Sequence, residues 1–156
     1  MSFIRRFYCG IVDTGNFLQT FLLFAIRLYW GWSFYQAGWG KVNNIKPVIE
    51  YFGSLGIPYP EFLAPFVGWV ECIGGLCLLF GFASRLVSIP LAINMIVALF
   101  TAHLTATLGM YNNPQRFINQ LPFNYLLTSL IVFCFGPGLI SVDYILGKLF
   151  CRSKRS

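Results

Sequence analysis

The chain has 156 residues, of which 57% are hydrophobic, 19% aromatic and only 10% charged, with a mean hydropathy of +0.68. A soluble domain carries about a quarter charged residues, so this chain cannot cover its own surface against water and is expected to be an integral membrane protein. Its net charge of +6 gathers at the termini beside apolar runs, which fits anionic lipid headgroups and excludes a nucleic-acid partner.

In chain order, "MSFIRRFYCGIVDTGNF" opens with an Arg pair, and no small-residue cleavage site follows the next apolar run. A retained first span is therefore expected in place of a removed signal peptide. Four segments reach the roughly 20 residues a helix needs to cross a bilayer: residues 17–39, 62–83, 86–108 and 121–140. The first two are joined by about 22 residues, "GKVNNIKPVIEYFGSLGIPYPE", with a short amphipathic helix expected near Pro47–Leu55, where Pro47 suits a first helical turn. Spans two and three meet at a tight turn near "ASR", and "GMYNNPQRFINQ" makes a polar, turn-rich third loop. "GPG" at Gly136–Gly138 interrupts the last span, and "SVDYILGKLFCRSKRS" reads as an amphipathic tail ending in a basic cluster.

The expected architecture is an all-α, antiparallel bundle of four transmembrane helices forming a single domain over residues 1–156. Arg5, Arg6, Arg85, Lys148, Arg152, Lys154 and Arg155 collect on one side, against Lys41, Lys46 and Arg116 on the other. The Lys/Arg bias therefore places both termini in the cytoplasm.

Within the first span, Arg27, Gly31, Phe34, Gly38 and Lys41 are spaced 4, 3, 4 and 3 apart and share one helical face. Glu71, Gly75, Leu78, Phe82 and Arg85 repeat that spacing in the second span. Counted from the span ends, Arg27 and Glu71 each lie ~15 Å deep, so they are expected to pair near the midplane. A lone charge there costs about 2.5–3.5 kcal/mol on insertion scales, and Gly31, Gly38, Gly68 and Gly75 allow the backbones to approach. Such a pair is either a structural clasp or part of a pocket in which Arg27, Glu71 and Gln36 meet a polar head group or relay a proton. Gln36 points off this line. In the third span, Asn94, Thr101 and Thr105 share a face and His103 is expected opposite them.

His103 is the single histidine, so bis-histidine haem ligation within the chain is excluded and no metal site is expected. The five cysteines form no C-x-x-C; Cys72, Cys77 and Cys134 read as buried small hydrophobes, and Cys9 and Cys151 flank the ends. Trp30, Trp32, Trp39 and Trp69 read as packing and interface residues.

"RLYWGWSFYQAGWGK", "GSLGIPYP", "VECIGGLCLLFGFASR", a His closing the third span and "GPGLISVD", in this order, resemble the DoxX family of small four-helix membrane proteins. The resemblance runs from about Arg27 to Asp143. It implies a bacterial inner-membrane protein linked to respiratory or redox-stress systems, some members resembling membrane subunits of quinol- or thiosulfate-linked oxidoreductases. The family's recurring polar positions fall on Arg27, Gly38, Lys41, Glu71, Gly75, Arg85, His103 and Asp143. Asn124 and Leu139 depart from it, where many members carry a carboxylate and an Arg.

Together these readings predict a membrane component of a redox or quinone-linked system. Arg27, Lys41, Glu71, Arg85 and His103 would bind a quinone head or a small lipid-soluble metabolite, and Gly31, Gly38, Gly75 and Asp143 would serve structure. The alternatives are a scaffold docking soluble redox enzymes through its basic tail, or a small-molecule carrier. Membrane lipids, redox partner proteins and a second copy of the chain are the candidate partners.

Overall fold

The computed structural model describes the backbone of residues 2–153 and the side chains of residues 7–149. Eight helices follow in order: α1 (Ser2–Asn43), α2 (Ile45–Ser54), α3 (Pro60–Phe80), α4 (Ser84–Thr101), α5 (Leu104–Leu108), α6 (Pro114–Ile118), α7 (Leu121–Phe135) and α8 (Val142–Ser153), with no strand among the described residues. Burial is inverted relative to a water-soluble protein. Arg27, Glu71, Ser84, Ser88, Thr128 and Ser129 are buried, while Leu86, Phe62 and Leu121 stand more than 60% exposed. That is the distribution expected of helices solvated by lipid.

α1, α3 and α4 are each long and apolar enough to cross a membrane. The boundaries differ from the sequence expectations in four places. α1 starts well before residue 17 and, at 42 residues, measures about 63 Å, twice a ~30 Å hydrocarbon layer. No described side chain before Leu23 is buried, so the first half of α1 runs past the bundle. α3 stops at Phe80, because Gly81 takes φ +71° and caps it, so the stripe begun by Glu71, Gly75 and Leu78 does not continue through Phe82 and Arg85, which are exposed.

The third expected span, 86–108, is not one helix. α4 ends at Thr101 and His103 leaves helical geometry (φ −122°). The Thr107 hydroxyl donates to the Leu99 carbonyl at 2.9 Å, taking the acceptor that a continuing helix would have offered to the N–H of His103. The fourth, 121–140, is helical only to Phe135. Gly136 (φ +77°) and Gly138 (φ +76°) flank Pro137 and end it, leaving a 15-residue helix of ~22 Å. Cys134 faces outward, unlike buried Cys72, and Cys151 lies outside the described side chains.

α1 and α3 pack backbone to backbone. A Cβ on Gly31 would lie 2.9 Å from the Leu79 nitrogen, one on Gly38 2.7 Å from the Gly68 carbonyl oxygen, and one on Gly75 2.7 Å from that of Gly31. α4 joins through Leu91, whose side chain fills the space a Cβ on Gly74 would need. Phe34, Leu78, Leu91, Met95 and Val132 form the apolar core, and α7 places the Tyr125 ring 4.3 Å from that of Phe34.

Gly38→Ala is expected to cost about 1–3 kcal/mol by forcing the two backbones apart, read as a lower Tm by circular dichroism in detergent. Gly40→Ala, with nothing within 4 Å of the added Cβ, should be neutral or stabilising by up to ~1 kcal/mol through helix propensity.

Candidate functional site

At the end of the bundle where α1 passes into α2, a cavity of about 360 Å³ opens between α1, α2, α3 and α4. Lys41 reaches it from the last turn of α1, Glu71 from α3, Asn94 and Thr101 from α4, and His103 from the break after α4. Phe52 on α2 and Phe66 on α3 supply aromatic walls. Lys41 and Glu71 form an ion pair in which the glutamate side chain is nearly inaccessible and the lysine side chain about one-third exposed. The Asn94 amide nitrogen is buried with no hydrogen-bond partner among the described residues.

Arg27 and Glu71 do not meet, contrary to the expected pair. The glycine contacts fix the register: Gly31 stands against Gly75 and Leu79, and Gly38 against Gly68 and Cys72. Continued along the antiparallel helices, that register sets Arg27 level with Gly81, about ten residues or ~15 Å from the level of Glu71. Arg27 lies at a different depth from Glu71 because α1 overruns the bundle, so that Arg27 sits where α3 ends. Glu71 is served instead by Lys41.

Arg27 belongs to a clasp at the opposite end, which we call the turn end. It is 1% exposed and donates through Nη2 to the Ile140 carbonyl. Its Nε and Nη1 have no partner among the described residues, and its guanidinium carbon lies 5.9 Å from the centre of the Phe24 ring. Gly81 has to be glycine here, both for its φ of +71° and because a Cβ would strike Arg27 and come 2.6 Å from Ser141 Cβ. Asp143 closes the clasp. Its two carboxylate oxygens accept the N–H groups of Ala83 (2.7 Å) and Ser84 (2.9 Å), the start of α4, and its own N–H donates to the Gly81 carbonyl at 3.0 Å. An acid at that position satisfies orphan donors and the helix dipole together.

Of the five residues expected to bind substrate, Lys41, Glu71 and His103 thus share the cavity, while Arg27 and Arg85 stand at the turn end. His103 was expected opposite Asn94; because α4 breaks, the two line the same space. Asn94 and Thr101 were absent from the expected site, although an amide in the apolar run "LAINMIVALF" is the signal that marks them. The cavity offers an ammonium, a carboxylate, an imidazole and an amide between aromatic faces, a set that hydrogen-bonds a polar head group in an apolar surround. Among the described residues, no three His, Cys, Asp or Glu side chains converge on a metal position.

The family model named DoxX matches residues 22–104. CatD of Bacillus subtilis, provisionally named an oxidoreductase, is 31% identical over 120 residues, covering 76% of this chain and 81% of its own. The inner membrane protein YqjF of Escherichia coli is 34% identical over 121 residues, 74% of this chain and 84% of its own. An uncharacterised protein of Haemophilus influenzae is 26% identical over 137 residues, 82% of this chain and 85% of its own. No solved structure matches.

Lys41→Met is expected to destabilise the protein by about 2 kcal/mol or more, because it strands a buried carboxylate. Adding Glu71→Gln should recover most of that loss. Thermal unfolding of the two single variants and the double variant in one detergent measures the coupling, and additive effects would mean that the pair does not interact.

Proposed function

The chain belongs to the DoxX family of membrane proteins, and from that membership and the cavity we propose that it is the membrane component of a redox or quinone-linked system. The cavity would take a quinone head group or a small lipid-soluble metabolite of similar polarity. One observation carries this reading: the buried, unpartnered Asn94 amide nitrogen at the wall of an apolar chamber. An unmet buried donor costs about 1–3 kcal/mol, and a ligand carbonyl oxygen placed there would remove that cost. The volume of about 360 Å³ lies in the range of small-molecule pockets, roughly 300–1,000 Å³.

Asn94 would hold one carbonyl end of a quinone and His103 a second polar edge, with Phe52 and Phe66 against the ring faces. A bound quinone would supply two-electron, two-proton carrier chemistry. The Lys41–Glu71 pair, whose lysine side chain is about one-third exposed, would exchange protons between the chamber and the membrane surface. The oxidoreductase name of CatD and the inner-membrane name of YqjF support redox chemistry and that location. With α7 as a fourth crossing, both termini fall on one side. The Lys/Arg count assigns that side to the cytoplasm, although Arg5, Arg6, Arg152, Lys154 and Arg155 lie outside the described side chains.

In nanodiscs, the purified chain is expected to bind a short-tailed quinone with a stoichiometry near one, read by native mass spectrometry. Asn94→Leu should weaken that binding about tenfold or more, while leaving the quinone-free Tm unchanged or raised, since the amide gives up no internal hydrogen bond. Wild-type protein that takes up no quinone, or equal binding by Asn94→Leu, sinks the reading.

A further inference from the structure

At the turn end, a second cleft of about 740 Å³ lies between the overrunning part of α1, the α3–α4 turn and the α7–α8 connection. Its α1 wall carries Asn16, Gln19 and Thr20 followed by Leu23, an i, i+3, i+4, i+7 set on one helical face. Opposite stand Arg85 and the exposed apolar side chains Leu86, Phe135 and Leu139.

Among the described residues, the cleft is lined by one cation, Arg85, and one carboxylate, Asp143, which differ in how far their hydrogen-bonding capacity is already used. Both oxygens of Asp143 are taken by the N–H groups of Ala83 and Ser84. Arg85 has no carboxylate in ion-pair contact among the described residues. Its guanidinium is seated over the Gly136 backbone, where a Cβ would come within 3.2 Å of Nε and Nη2. The GPG bend, needed to end α7, therefore also fixes the direction of a cation at the mouth of the cleft.

We propose that this cleft is a binding site for an anionic phospholipid, with Arg85 on the lipid phosphate and Gln19 and Asn16 on the polar headgroup. One acyl chain runs over Leu86, Phe135 and Leu139. The apolar wall beside the cation selects a lipid over a free anion, which would gain nothing from those side chains. Arg85 sits at the end of two membrane-crossing helices, the depth at which a phosphate layer meets the hydrocarbon. The overrunning segment of α1 then acts as the flank of a lipid site, which gives its polar ladder a partner that the bundle does not supply.

The full-length chain would be reconstituted in nanodiscs with equal phosphatidylglycerol and phosphatidylcholine, released into detergent, and its retained lipid counted by native mass spectrometry. Wild type is expected to retain phosphatidylglycerol preferentially, and Arg85→Gln should cut that preference about fivefold, the weight of one cation beside an anionic surface. Thr20→Arg, which leaves Arg85 and the apolar wall in place and adds a cation on the α1 side of the cleft, should raise it. Equal retention of the two lipids by wild type, or an unchanged preference in both variants, overturns the proposal. Displacement of the bound lipid by millimolar inorganic phosphate would also overturn it, because the cleft would then be an anion site without lipid selection.

Discussion

The glycine contacts between α1 and α3 set everything else in this bundle. Gly31, Gly38, Gly68 and Gly75 bring two antiparallel backbones into direct van der Waals contact, and in that arrangement no side chain can buffer a slip along the axis. A shift of one turn would drive a neighbouring side chain into backbone. Small-residue contacts serve membrane helices well because lipid offers no hydrophobic force to hold them together, so close packing must supply the attraction. The register also settles the electrostatics, since charges fixed on rigid helices meet only where the glycines allow.

Two polar centres follow from that register, one at each end of the bundle. At the turn end, Arg27, the Ile140 carbonyl and Asp143 tie α1, the α3–α4 turn and α8 together. Asp143 caps α4 from a distant part of the chain, and its negative charge sits at the same turn as Arg27. At the end where α1 passes into α2, Lys41 and Glu71 pair beside a chamber that Asn94 and His103 also line. One centre ties three elements together through contacts to backbone, although Nε and Nη1 of Arg27 are buried there without a partner among the described residues. The other sets a buried amide nitrogen, without a partner among the described residues, in the wall of a chamber that an ion pair and an imidazole also line.

Two breaks in helices set where polar side chains stand in this bundle. α4 ends at Thr101, and α7 ends at Gly136. The first break turns His103 into the chamber, and the second seats Arg85. Non-helical backbone inside a bilayer is tolerated where protein covers it or where it lines a cavity, and here Thr107 stitches the first break while Asp143, Ser141 and Gly138 organise the second.

Composition alone was enough to identify a helical membrane protein, because 10% charged residues cannot solvate a 156-residue surface whatever the fold. The 4-3-4-3 spacing also identified the buried face of α1, since helical periodicity is a local property, and Arg27, Gly31, Phe34 and Gly38 are all buried. Partner choice was not local. Whether Glu71 meets Arg27 or Lys41 depends on an axial offset between two helices, and that offset comes from glycine contacts whose sum no single span encodes. His103 shows the same limit, because a helix continued through Ala102 would have turned its imidazole away from Asn94. The helix break, stabilised by a hydroxyl eight residues from its acceptor, put the two side chains on one wall.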